Sequence, residues 1–266
     1  MYVDNGEPLP LWSFYNFNKF SEIINFTTTR YGGISQGNYA ALNLGYNAQD
    51  KRTRVAANRR LLARRLHIVP EHFVFPHQTH SNNVFCISDC FHIYKAKRNM
   101  LYNVDALITD IPNLCISVLT ADCVPVLLFD PVEKVIGAIH AGWRGTVAEI
   151  SHRTVESMHN HFGCKPSNII AGIGPAIGPE CYEVGQEVVA EAVKVASVYN
   201  NIIEASGKVY LNLPYANQMQ LMLSGCSKNN IEMANVCTYC NSDLFFSARY
   251  SKDDFGRFAT GIMIIL

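Results

Sequence analysis

Net charge is missing from this 266-residue chain: 22 lysines and arginines balance 22 aspartates and glutamates. A neutral surface gives no general pull toward nucleic acid or an anionic membrane. Missing too is any apolar run long enough to cross a bilayer; the most hydrophobic stretch, Leu114–Phe129, is broken by Asp122. The opening MYVDNGEPLP has neither the basic nor the apolar region of a secretory leader, so the expected compartment is the cytoplasm. No repeat, low-complexity tract or Pro/Ser-rich linker divides the chain, which reads as one domain over residues 1–266. A disulfide framework is not expected either, because the nine cysteines are odd in number and scattered over a long sequence. Cys237 and Cys240 have C-x-x-C spacing. Without a second such pair or a following helix pattern, they read as two partly buried free thiols.

Two nucleotide-binding signatures are also excluded. Gly172, Gly174 and Gly178 are out of register for G-x-G-x-x-G, no Gly-Lys-Ser/Thr follows, and Pro175 and Pro179 keep a helix from opening directly after them. The helical pattern over Asp50–His67 is crowded with arginine, including Arg52, Arg54, Arg59, Arg60, Arg64 and Arg65. It has no interleaved aromatic residues, so it reads as a solvated basic face and not as a nucleic-acid stripe.

What remains is an α/β pattern. Strand-like runs at Phe73–Phe75, Asn83–Ile87, Val104–Thr109, Leu114–Leu119, Val126–Phe129 and Val135–Ile139 precede helices expected at Thr146–Phe162, Gln186–Val198 and Tyr215–Ser224. Thr146 and Glu149 have capping-box spacing, Gly163 fits the stop, and a strand Ile262–Leu266 closes the chain. A glycine-rich segment, TTTRYGGISQG from Thr27, contains Arg30 and leads to Asn43; its backbone can approach a ligand closely.

Three side chains stand where predicted strands begin or end: His80 in PHQTH, Cys123 in TADCVP and His140 in IHAGWRG. Imidazole and thiolate bind zinc, or form a nucleophile–base pair. They are too far apart in sequence for a zinc-finger knuckle, so a site made from them needs strands brought together in space. Three ligands with an open position mark a catalytic zinc. A metal site and a Cys-His hydrolytic pair both stay open. Asp122, in an apolar neighbourhood, needs a partner, and the second nitrogen of a histidine ligand is a natural one. Gln78 lies two residues from His80, on the same face of an extended segment. The tight strand-to-helix turn HAGWRG, with Arg144, suits an anion such as phosphate.

Together, the blocks TTRYGGISQG…NLG, PHQTH, DALITD, LTADCVPVLLFDP, GAIHAGWRG, IGPAIGPECYEVG and LFFSARY…GRF resemble the laccase-domain, or multicopper polyphenol oxidase-like, family. The resemblance runs from about Thr27 to the C-terminus. It implies a mixed β-sandwich flanked by helices, similar to cysteine-hydrolase toxins, and a purine nucleoside phosphorylase and adenosine deaminase activity, with peptidoglycan editing in some members. It also implies zinc on His80, Cys123 and His140, nucleosides and phosphate as partners, and Cys123, His80, His140, Asp122 and Arg144 as catalytic residues. Arg30, Asn43, Gln78 and Glu183 are expected to help bind substrate. Near the end, Ser247-Ala-Arg249-Tyr250 keeps one arginine where relatives carry a basic pair. A multicopper centre demands several histidine pairs, and His159-Asn-His161 is the single H-x-H here. A lone copper on the same N/S set, a Cys-His hydrolase and a zinc-stabilised scaffold are the alternatives.

Overall fold

Strands in which every residue is apolar must be covered on both faces, and this chain meets that demand by stacking two sheets. The computed structural model describes residues 1–4, 9–46, 48–88 and 101–265. The first sheet holds β1 (Tyr2–Asp4), β2 (Leu11–Ser13), β3 (Ile23–Thr28), β4 (Phe73–Val74), β7 (Cys115–Thr120) and β14 (Phe258–Ile264), in the order β1-β2-β3-β14-β7-β4. The second holds β5 (Val84–Ile87), β6 (Ala106–Thr109), β8 (Val124–Asp130), β9 (Val135–Ala141), β10 (Ile170–Ile173) and β13 (Ile231–Met233), in the order β13-β10-β8-β9-β6-β5. A separate hairpin pairs β11 (Ile202–Ala205) with β12 (Lys208–Leu211).

Ile116 and Val118 of β7 and Ile262 of β14 meet Leu127 and Phe129 of β8 and Ile136 of β9 between the sheets. The outer face of the first sheet, with Phe26 and Met263, packs on Leu62 of α1 (Arg52–Arg65). The outer face of the second, with Val126 and Ile139, packs on Val155 and Met158 of α3 (Ile150–Phe162) and Leu221 of α6 (Leu213–Leu223). Each such fully buried aliphatic or aromatic side chain contributes roughly 1.5–3 kcal/mol. The result is the expected helix-flanked mixed sandwich, in four layers. No helix among the described residues is long and apolar enough to cross a membrane.

Two local expectations are corrected. Thr146 does not cap a helix. Helix α2 (Trp143–Val147) starts earlier, Glu149 turns left-handed at φ 60°, and α3 begins anew at Ile150. The Thr146 hydroxyl is instead taken by the amide of Asn217 on α6, at 3.0 Å. The helix expected over Gln186–Val198 divides into α4 (Gln186–Ala192) and α5 (Ala196–Tyr199). A straight helix would point Ala192 and Val198 in different directions, whereas the break buries both in one core. The last residue of the closing strand, Leu266, lies outside the described residues.

Candidate active site

His80 lies on the loop that leaves β4 in the first sheet for β5 in the second, and Cys123 on the turn from β7 to β8, which crosses the same way. His140 is the penultimate residue of β9. The sandwich brings them together: Cys123 Sγ is 3.8 Å from His80 Nε2, and the His80 and His140 rings stand 4.9 Å apart at 73°. One ligand atom from each residue lies within 4.8 Å of the others. Donors around a tetrahedral zinc sit about 3.3–3.8 Å apart, given bonds of roughly 2.0–2.3 Å. The set therefore fits one metal ion after a small inward movement.

The carboxylate that organises the set is Asp105, not Asp122. Asp105 Oδ1 is 2.7 Å from His140 Nδ1 and also accepts the backbone N–H of His80 at 3.0 Å. Its Oδ2 accepts the N–H groups of Thr79 and Ser81 and the Ser81 hydroxyl. One buried side chain thus fixes the ring of one ligand and the loop of another. Its position in DALITD, a charge opening an apolar strand, was the available signal. Asp122 is a correction: its Oδ1 accepts the Thr238 hydroxyl at 2.6 Å and its Oδ2 the Arg249 N–H at 2.7 Å. Those bonds hold a turn in which Asp122 has φ 83°, a conformation few residues other than glycine tolerate, and so aim Cys123 at the histidines.

Electrostatics follow this geometry. Burial alone would raise the Cys123 thiol, but the charge of His140 and hydrogen bonds from both histidines outweigh it and bring the pKa to about 6. Burial also opposes charge on His140, yet Cys123 and Asp105 raise it to about 9. For Asp105, burial is overcome by His140, Ser81 and Thr79, which hold its pKa at about 2. The site favours a Cys123 thiolate beside a His140 imidazolium, and a metal ion bound there would take the thiolate and displace the His140 proton.

Gly142, just past β9, has no room for a side chain. A Cβ there would stand 2.7 Å from His80 Cδ2 and 3.1 Å from Cys123 Sγ. Gly142→Ala is expected to push both ligands apart and weaken metal binding while the sheets still form. Metal titration followed by competition with a chelator measures this; unchanged affinity would mean that the site is less tightly built than described.

The three residues open into a cavity of about 1030 Å³. Arg52, Arg59, Arg144, Arg249 and Arg257 line it, interleaved with aromatic rings that include Tyr46, Phe75, Tyr102, Trp143 and Tyr182. Arg59 corrects the solvated reading of the basic helix. It is sandwiched by Tyr46 and Phe75, with ring centroids 4.4 and 4.1 Å away, and donates to the Leu44 carbonyl. Burial lowers its pKa to about 10, which leaves it cationic.

Arg144 lines the cavity, its guanidinium 4.2 Å from the Trp143 ring. Gln78 lines it too, but its amide is engaged in both directions with the Leu119 backbone. Three expected binding residues stand outside. Arg30 donates to the carbonyls of Ala40 and Ser242, pinning the glycine-rich segment, whose close approach at Gly33 is to its own Ala41 and not to a ligand. Asn43 is buried and accepts the N–H groups of Gly45 and Arg257, positioning the latter. Glu183 pairs with Lys208, while its carbonyl accepts from Arg249. His159 and His161 each turn a ring nitrogen to a backbone carbonyl nearby.

A Cys-His-His set that could hold a metal, lining a cavity with cations and aromatic rings, has the make-up of a small-molecule enzyme site. Residues 24–265 match the family model for the multi-copper polyphenol oxidoreductase laccase family. The chain is 41% identical over 254 residues to the purine nucleoside phosphorylase of Bacteroides thetaiotaomicron, covering 94% of each. It is 37% identical to adenosine deaminase RL5 of an unknown prokaryotic organism, covering 89% of this chain and 92% of that one. The crystal structure of YlmD from Geobacillus stearothermophilus matches with a TM-score of 0.90 at 31% identity, over 99% of this chain and 98% of the other. The chain belongs to this family of enzymes.

Proposed function

We propose that this chain, acting as one domain, processes purine nucleosides by phosphorolysis of adenosine, inosine and methylthioadenosine and by deamination of adenosine. Zinc on His80, Cys123 and His140 is the metal this reading uses, although copper can occupy the same N/S set. The supporting observation is the cavity itself, which joins what these substrates need: flat rings to stack a purine, arginine forks for phosphate, and a metal set between them. The names of the relatives point the same way. The free thiols of the described cysteines agree with a reducing, cytoplasmic setting.

In phosphorolysis a phosphate oxygen bonds to the anomeric carbon as the glycosidic C–N bond breaks, and the purine leaves with a proton. Arg144, with Arg249 and Arg257 also lining the cavity, holds the phosphate and offsets charge that grows in the transition state. Burial, with a smaller contribution from the Cys123 charge, raises the Tyr182 pKa, so its Oη keeps a proton to donate. Asp122, the one carboxylate among the described lining residues, has both oxygens engaged and serves the turn rather than as a proton shuttle. When bound, a three-ligand zinc supplies Lewis-acid chemistry, which includes lowering the pKa of water to roughly 7. A second reading has one observation in its favour: Cys123, His140 and Asp105 also line up as nucleophile, base and orienting carboxylate, the arrangement of a hydrolase that edits a peptidoglycan precursor.

The test is a nucleoside mixture incubated with and without phosphate and read by mass spectrometry, on the unchanged chain and on Arg144→Ala. Phosphorolysis products are expected only with phosphate. The variant should raise the KM for phosphate by roughly 10-fold or more, with deamination little affected. Equal losses in both reactions would make Arg144 a structural residue.

A further inference from the structure

Cys237 and Cys240 are not two isolated thiols. The segment after β10 runs beside the chain that follows β13, joined by a parallel bridge between Ala176 and Cys237 and by hydrogen bonds from Ala176 N to the Val236 carbonyl and from Thr238 N to the Ala176 carbonyl. That pairing delivers Cys181 to the C-x-x-C turn. Cys181 Sγ lies 3.4 Å from Cys240 Sγ, and all three sulfurs fall within 4.8 Å of one another. Sulfurs around a tetrahedral zinc sit about 3.8 Å apart, given Zn–S bonds of roughly 2.3 Å.

Backbone N–H groups already turn to one of these sulfurs. Cys237 Sγ accepts the N–H of Gly178 at 3.1 Å and the backbone N–H of Cys240, bonds that stabilise a ligating thiolate. None of the three cysteines lines the cavity, although Ile177 and Tyr182, on the same segment, do. We infer that Cys181, Cys237 and Cys240 form a second metal site, a three-thiolate site for a thiophilic cation of the Zn(II) class, separate from the one in the cavity. An all-sulfur donor set selects such ions over hard cations. The ion would tie the Tyr182 segment to the turn whose Thr238 holds Asp122, and so brace one wall of the cavity.

Cobalt(II) is the probe, added to reduced, metal-free, full-length Cys123→Ala protein, in which the cavity site is disabled. One equivalent should produce an intense thiolate-to-cobalt charge-transfer band in the near ultraviolet, displaced by zinc. Adding Cys240→Ser, an exposed position, or Cys181→Ser should abolish the band. On the chain that keeps Cys123, Cys240→Ser alone should lower bound zinc by one equivalent, a count that serves should Cys123→Ala fold poorly. No band in Cys123→Ala protein whose thiols are free and reduced, or a band that persists in both double variants, would overturn the site.

Discussion

Cys123→Ala, made alongside Cys240→Ser so that only the cavity site is read, is expected to give a folded protein with no stoichiometric zinc and neither phosphorolysis nor deamination. Cys123 is the only anionic ligand of the three, and its thiol is held at about 6. Its loss leaves two imidazoles, one of them on the exposed His80, and such a remnant should bind far more weakly. Elemental analysis and a nucleoside assay measure the two effects. A full equivalent of zinc retained by the variant would end the metal reading of the cavity. The same pair of measurements on the Cys240→Ser parent separates the hydrolase reading. If Cys123 is a nucleophile, chelation should leave activity on a peptide or ester substrate intact; if it is a ligand, chelation should abolish activity and zinc restore it.

Asp105 should be nearly as sensitive. It is fully buried and accepts hydrogen bonds from three backbone N–H groups and a hydroxyl, besides meeting His140 Nδ1. Asp105→Ala leaves those donors without an acceptor and is expected to cost about 3–5 kcal/mol of folding stability, the range for breaking a buried charged pair. Asp105→Asn keeps the size but presents an amide donor to a neighbourhood of donors, so metal affinity should fall on the order of 10–100-fold. Denaturant unfolding of the metal-free proteins reads the first effect and chelator competition the second. Wild-type affinity in Asp105→Asn would confine Asp105 to a folding role.

The contrast between Asp105 and Asp122 marks where sequence reasoning stops. The three candidate ligands are legible because rare chemistry falls at or near predicted strand ends, and strand ends are set by local apolar runs. Which carboxylate serves which histidine depends on pairing: β6 lies against β9 in register Ala106 with Ile139, which puts Asp105 beside His140, and no local pattern states that register. Arg59 is one of six arginines on a helix whose apolar face carries Val55 and Leu62, and only the docking of that face on the first sheet shows that Arg52 and Arg59 reach the cavity. Cys181 escaped for the same reason as Asp105, since the Ala176–Cys237 bridge joins segments far apart in the chain. For Arg30, Asn43 and Glu183 the sequence offers only neighbourhood and resemblance. They use their polar atoms on backbone, on the Asp50 carboxylate and on a surface lysine, and Asn43 and the Glu183 carbonyl each accept from an arginine that faces the cavity.

His80 and Cys123 sit on two of the passages where the chain changes sheets, so an ion held between them would rivet one half of the sandwich to the other. In the unfolded chain the same ion would have to close loops of 17 and 43 residues to gather its three ligands, Cys123 with His140 and Cys123 with His80. The denatured ensemble therefore competes poorly for the metal, and nearly all the binding free energy accrues to the native state. At a free concentration one hundred times Kd that is about 2.7 kcal/mol, a large fraction of what keeps an ordinary protein folded. Metal scarcity would then thin out the folded molecules themselves, as well as idling those that remain.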